Sequence, residues 1–237
     1  MAVSFGERIH ALTGFDGDST DSSEIGENFD DVTAEWMNVA VREVINILPQ
    51  DLKHKCVTIS IINVTNGTTM DLDGIGDILE VTRKSASDGY HVPCREVHPM
   101  YGDLTNDSSS IHYASATDPA YWITSNSSDA STLFVKPTAT DAQPANVYHI
   151  GYPIFDADGS GTNINIKTAT SVANFPDEAE NLIVLKAAIF AAEYQFAIEE
   201  DPEIYIPMIQ NLKQDYQQAV AELSPKSAQP QPQRGER

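Results

Sequence analysis

Positive charge is what this sequence is shortest of: fourteen Lys and Arg stand against thirty-five Asp and Glu, a formal net charge of −21 over 237 residues. That imbalance argues against binding duplex nucleic acid by phosphate neutralisation, while it suits a surface that keeps a polyanion at a distance. Self-repulsion also keeps such a chain dispersed. Cysteine is nearly missing. Cys56 and Cys94 are too few for a disulfide framework and read as reduced thiols packed in or near strands. The stretch from Met1 to His10 lacks the charged start and apolar core of a signal peptide, and no window is expected to approach the length that spans a bilayer. The chain is therefore expected to be made and kept in the cytoplasm, away from membranes. There is no Gly-X-Ser-X-Gly elbow, no phosphate loop and no dinucleotide fingerprint, so no catalytic residue and no cofactor is assigned.

Apolar residues make up 41% of the chain, enough for a real core. The strongest pattern lies near the C-terminus. Leu182, Leu185, Ile189, Ala192 and Phe196 recur at steps of three and four, and the spacing returns in Tyr205, Met208, Leu212, Tyr216, Ala219 and Leu223. This predicts an antiparallel helix pair. Phe175-Pro176-Asp177-Glu178 is a start signal for its first member, since proline suits the first turn and carboxylates complement the positive end of the helix dipole. Pro202 marks the turn, and Pro207 favours a second helix that begins late, near Ile206. Toward the N-terminus, residues 4 to 12 predict a short helix with Phe5, Ile9 and Leu12 on one side. From Gly14 to Asp31 seven carboxylates and no Lys or Arg predict a mobile or partner-ordered loop. Asp30 or Asp31 is then expected to cap a helix carrying Val32, Trp36, Val39, Ala40, Val44 and Ile47, with Trp36 as its aromatic anchor and Pro49 at its end.

Between Cys56 and Lys167 the period changes to two. The runs Val57 to Ile62, Ile78 to Arg83, Tyr121 to Thr124, Leu133 to Val135 and Val147 to Ile154 are rich in β-branched and aromatic residues. Turn signals separate them: Asn66-Gly67, Asp88-Gly89, Asp118-Pro119 and the cluster from Asn126 to Ala130. The fold class expected is α+β: a helical bundle, made of one N-terminal helix and the C-terminal pair, with an inserted antiparallel β-sheet, small sandwich or barrel. The boundaries follow as 1–55 for the N-terminal segment and helix, 56–173 for the β-rich insertion, 174–224 for the helix pair and 225–237 for an extended tail. That tail holds three bases against one acid, so it is net positive on an otherwise acidic chain.

Four groupings of residues invite a chemical reading. Asp156-Ala157-Asp158-Gly159-Ser160-Gly161 resembles the start of a calcium loop, yet its twelfth position, where a bidentate glutamate belongs, is Lys167. The run from Asp71 meets Thr82 at the same place, and both read better as turns. His91, Cys94 and His98, with His112 and His149 beyond, have the residue types of a metal site. On one strand His91 and Cys94 point to opposite faces, so no metal is assigned. Glu199, Glu200 and Asp201 crowd a helix end and read as a solvated face or a contact for a basic partner.

Two stretches together resemble the head-to-tail adaptor, or connector, proteins of tailed bacteriophages. One runs from Phe29 through Trp36 to Pro49, the other from Phe175-Pro176-Asp177-Glu178 to Ala192 and on through the acidic turn to the Tyr205–Leu223 helix. Between them Tyr121-Trp122-Ile123, Leu133-Phe134-Val135-Lys136-Pro137 and Tyr148-His149-Ile150-Gly151-Tyr152 look like that family's β-rich insert, so the likeness spans most of residues 29 to 223. The resemblance implies a homo-oligomeric ring, commonly of roughly twelve copies in closed symmetry. Such a ring has the portal protein above, a tail or neck (stopper) protein below, and DNA passing through its lumen without specific binding. It implies a non-enzymatic virion protein. It also implies a terminal arm that reaches the portal, for which Pro225, Lys226, Gln229, Gln231, Arg234 and Arg237 are the interface candidates. Two rival readings stand beside it. One is an acidic, β-rich module that binds carbohydrate through Tyr121, Trp122 and loop aspartates. The other is a hydrolase built on carboxylates and histidines, which needs those groups to converge.

Overall fold

A computed structural model describes residues 3–15, 29–72, 74–85, 89–125, 131–199 and 201–223. In chain order the elements are α1 (Phe5–Thr13), α2 (Phe29–Ile47), α3 (Gln50–Lys53), β1 (Val57–Ile62), β2 (Thr69–Asp71), β3 (Ile75–Lys84), β4 (His91–Pro93), β5 (Arg95–Glu96), β6 (Ala120–Ser125), β7 (Ser131–Lys136), β8 (Ala145–Gly151), β9 (Phe155–Asp156), β10 (Ile164–Asn165), α4 (Asp177–Glu199) and α5 (Pro202–Leu223). The architecture is α+β, with a C-terminal helix pair and sheets in the middle of the sequence. Two compact units divide the chain: residues 1–55 with 153–237, and residues 56–152.

The helical unit is built around α4. Leu182, Ile183, Val184, Leu185 and Ile189 are buried around nearly its whole circumference, and Ala187, Ala188, Ala191 and Ala192 are small enough to let neighbouring helices approach closely. It is flanked by α1, α2 and α5. By length and composition α4 could cross a membrane, contrary to the expectation that no window comes near; it is instead the mostly buried core helix of this unit. Its start at Asp177, just after Pro176, follows the sequence signal. Helix α1 opens with a reciprocal cap, in which the Glu7 N–H donates to Ser4 Oγ at 3.3 Å and the Ser4 N–H to Glu7 Oε2 at 2.8 Å. Gly14 closes it at φ 76°, a left-handed conformation that glycine adopts without strain.

Two expectations for the helices need correction. Helix α5 begins at Pro202, not near Ile206, and Pro207 lies inside it. The Asp201 carboxylate accepts the Glu203 N–H at 3.1 Å, so Asp-Pro forms an N-cap and first residue, and Pro207 costs one ladder bond near the helix start. Helix α2 already contains Phe29, which puts Asp30 and Asp31 in its first turn, where they complement the dipole. Its fully buried residues include Met37, Ala40, Val41 and Val44, whereas Trp36 is half-buried and meets Tyr194 of α4 with ring centroids 5.6 Å apart. Trp36 thus packs α2 against the later helix pair, as expected, but at the rim, while Met37 lies in the core.

The stretch 153–173 groups with the helices. Phe155 packs edge-on against Phe5 at 5.7 Å, Asn38 of α2 exchanges two hydrogen bonds with the Phe155 backbone, and Lys167 pairs with Asp30 at 2.9 Å. Short parallel strands β9 and β10 hold this stretch together.

The β unit contains two four-stranded sheets, ordered β1-β8-β3-β4 and β2-β7-β6-β5, antiparallel except for the β5–β6 pair. Period-two alternation turns Ile62, Val81, Ala145 and Val147 of one sheet toward Leu133 and Val135 of the other, giving one sandwich core. Strand β8 ends at Gly151, three residues short of the expected Ile154. Gly67 and Gly89 take positive φ where the Asn66-Gly67 and Asp88-Gly89 turns were expected, while the cluster from Asn126 to Ala130 lies outside the described residues. The outer face of β6 is covered by the segment 97–119, whose Val97 and Ala114 form a small core with Ala120 of β6. Trp122 stacks on Phe134 at 5.4 Å and 6°, and Gly102 lies against its ring.

Candidate interaction surfaces

Within the helical unit the three long helices meet at Lys186. Its ammonium pairs with Glu43 of α2 at 2.8 Å and lies 4.9 Å from the Phe190 ring centroid and 5.7 Å from that of Tyr216 on α5. Farther along, Lys213 pairs with Glu193 at 2.7 Å. Of the acidic turn between α4 and α5, Glu200 lies outside the described residues, while Glu199 and Asp201 are internally engaged. Glu199 accepts hydrogen bonds from the Tyr205 hydroxyl and the Gln195 amide, both at 2.5 Å, and these donors, Tyr205 first, hold its carboxyl below the ordinary range. Asp201 is committed to its cap. On the opposite flank a groove of about 360 Å³ runs between α1, α4 and α5, with Leu12, Leu185 and Ala219 at its base and Asp215 and Glu222 on its rim.

The β unit offers a groove of about 450 Å³ lined by Leu72, Ile75, Ile78, Tyr121 and Ile123, with Glu96 as the one carboxylate among its described lining residues. The Tyr121 hydroxyl donates to Glu96 at 3.4 Å, and burial, the neighbouring Glu96 charge and that hydrogen bond push the phenol pKa up. The covering segment presents Met100, Ile111 and Tyr113 to solvent.

The residues singled out for chemistry do not come together. His91 bonds Thr82 at 3.2 Å, His149 is buried beside Ser60 at 3.0 Å, and His98 and His112 flank Tyr101, with His112 stacked on it at 4.3 Å. Cys94 packs against the sandwich core, where burial, only partly offset by the nearby Arg83 charge, pushes its thiol up to about 12. Among the described residues no three of His, Cys, Asp and Glu are placed to share a metal ion. Asp156 spends its carboxylate on its own loop: it accepts from Ser160 Oγ at 2.6 Å, the Asp158 N–H at 2.9 Å and the Asn163 amide at 3.3 Å, which lower its pKa to about 2. The Lys167 ammonium stands 3.9 Å from Asp158. Trp122 is only 8% exposed, so it has no open face for stacking on a sugar, and the carbohydrate reading loses its main residue. Among the described residues lining the groove, no histidine stands beside Glu96 to complete the pair that the hydrolase reading needs. The tail candidates Pro225, Lys226, Gln229, Gln231, Arg234 and Arg237 lie outside the described residues, as does the acidic stretch 16–28.

What the molecule does offer is surface, and the family comparison says what kind of protein offers it. The family described as SU10 adaptor protein matches residues 15–236. The chain belongs to that family. It is thus a phage head-to-tail adaptor, a structural class of virion component that contacts other virion proteins. No curated protein matches the adaptor. The match covers both units, so the β unit is part of the adaptor itself.

Sequence reasoning missed that the adaptor leaves apolar residues exposed on its helices, among them Val39, Tyr194, Ile198, Ile204 and Ile206. A signal was present in α2, whose apolar residues fall on two faces, Met37-Val41-Val44 and Val32-Trp36-Val39, where a helix with one buried side needs only the first.

Proposed function

We propose that the adaptor is a non-enzymatic ring subunit, roughly twelve copies closing about one axis beneath the portal vertex, that joins the filled head to the tail and surrounds the DNA channel. The observation that carries this reading is the family match over nearly the whole chain, joined to a net charge of −21. A passage lined by carboxylates repels phosphate and leaves no tight site at which a moving genome could stall. On this reading the helical unit with residues 153–173 forms the collar, the unit 56–152 serves contacts to neighbours, and the protein is made in the host cytoplasm before joining the virion neck.

The tail, residues 225–237, is assigned to the portal, where Lys226, Arg234 and Arg237 supply the positive charge that the rest of the chain lacks. Repeated around a ring, weak arm contacts make a firm joint, since one engaged arm raises the effective concentration of the others. Two experiments test the proposal. Particles assembled without the adaptor should be DNA-filled heads without tails, and tails attached as usual would refute the joining role. Deleting 225–237 should leave the thermal midpoint unchanged and weaken portal attachment; unchanged attachment would refute the assignment of the arm.

A further inference from the structure

The exposed apolar residues and the acid-rimmed groove lie on opposite faces of the α4–α5 hairpin. At about 100° per residue, nine steps place two residues about 180° apart on a helix. Tyr194 and Leu185 are nine steps apart on α4, and on α5 the pairs Ile206 and Asp215, and Lys213 and Glu222, are each nine steps apart. The contacts agree with this geometry. Tyr194 meets Trp36 of α2 and Lys186 meets Glu43, so one flank faces the α2 side, while Leu185 lines the groove together with Leu12 of α1. On the α2 side a ridge is left uncovered, formed by half-buried Trp36 with Val39 (49% exposed), Tyr194 (44%), Ile198 (49%) and Ile206 (41%).

We propose that the ridge Trp36–Val39–Tyr194–Ile206 of one copy docks in the groove over Leu12, Leu185 and Ala219 of the next, making the lateral contact of the ring proposed above, on which this inference rests. The occupant is a second copy for three reasons. Different patches on opposite faces of one molecule produce a head-to-tail contact, and repetition of that contact about an axis closes a ring. The charges at the edges are complementary: Lys213, exposed and paired across its own hairpin with Glu193, flanks the ridge, while Asp215 and Glu222 line the groove. Copies with net charge −21 repel each other in general, so they associate where a basic edge meets an acidic one. The size also fits. Five side chains of this type, about half exposed, present roughly 400 Å² of apolar area, a suitable centre for an interface that takes about 800 Å² from each partner and completes it with a polar rim.

The test uses the full chain assembled with its portal. Val39→Cys and Ala219→Cys are made as separate single variants, mixed, and oxidised mildly; buried Cys56 and Cys94, whose thiol is held up to about 12, are slow bystanders. Mixtures should yield disulfide-linked dimers, the double variant a ladder up to the full ring, and Val39→Cys alone none. Val39→Asp should weaken association at least tenfold with an unchanged unfolding midpoint. Rings that form undisturbed by Val39→Asp, or Val39→Cys copies that crosslink to each other, overturn the assignment of the faces while leaving the ring itself intact. An unmodified chain that stays monomeric with its portal overturns the ring, and this contact with it.

Discussion

Replacing Gly102 with alanine isolates one physical effect. Its backbone sits at φ −54° and ψ −44°, which any residue adopts, so the substitution brings no torsional strain. Space is the difficulty. An added Cβ would stand 2.7 Å from Trp122 Cε2 and 2.9 Å from Nε1, where carbon contacts are comfortable at about 3.5–4.0 Å. Trp122 has nowhere to retreat, because its other face is stacked on Phe134 and little of it is exposed. Overpacking of this kind costs about 1–3 kcal/mol. The stiffer unfolded chain of the alanine variant returns about 0.4–1 kcal/mol. The expected net loss is therefore about 1–2 kcal/mol, read as a lower urea midpoint for the β unit together with a red shift of tryptophan emission as segment 97–119 lifts off the ring. In a Trp122→Phe background the penalty should shrink, since the smaller ring leaves room for the methyl group. A Gly102→Ala variant as stable as the parent, with unchanged emission, would refute the packing argument.

Lys186→Met keeps the aliphatic stem and removes the charge that faces Glu43, Phe190 and Tyr216; with the ion pair partly exposed, a loss of about 1–2 kcal/mol is expected in thermal unfolding of the helical unit. Glu43→Gln should cost less than Lys186→Met, and equal losses would mean that the ring contacts contribute nothing. Asp156 has a carboxyl held at about 2, below its unfolded value, so its stabilising effect on the loop 156–163 is complete above about pH 4 and is lost as pH falls toward 2. Carboxyl carbon shifts followed by NMR should show that midpoint in the parent protein, and a midpoint near 4 would contradict the hydrogen-bond geometry.

Much of the fold was legible because the signals were local. Ser4 and Glu7 form the reciprocal cap of α1, Pro176-Asp177 opens α4, and alternation marks β1 and β6 to β8. The start of α5 is legible as well in Asp201-Pro202, itself an opening signal, and Pro207 does not displace it because a proline near a helix start removes only one bond. The stretch 153–173 reads as β by composition, and it is attached to the helices by tertiary contacts, among them those of Phe155 with Phe5 and Asn38 and of Lys167 with Asp30. The two-residue strands β5, β9 and β10 are too short to show a period. Surface chemistry was the hardest to read. Trp36 and Trp122 are equally aromatic in sequence, yet one borders an exposed ridge and the other lies under a glycine. The acidic character was plain from composition, whereas which carboxylates are already engaged, such as Glu199 and Asp156, depends on partners that only the fold supplies.

The central claim is that copies of this chain close into an acidic ring on the portal. Native mass spectrometry of the purified adaptor mixed with its portal, at increasing salt, tests it most directly. The account predicts a discrete complex with one fixed number of adaptor copies per portal. It also predicts no retention of added duplex DNA at physiological salt. A single adaptor copy per portal, a continuum of stoichiometries, or tight salt-sensitive capture of DNA would contradict it.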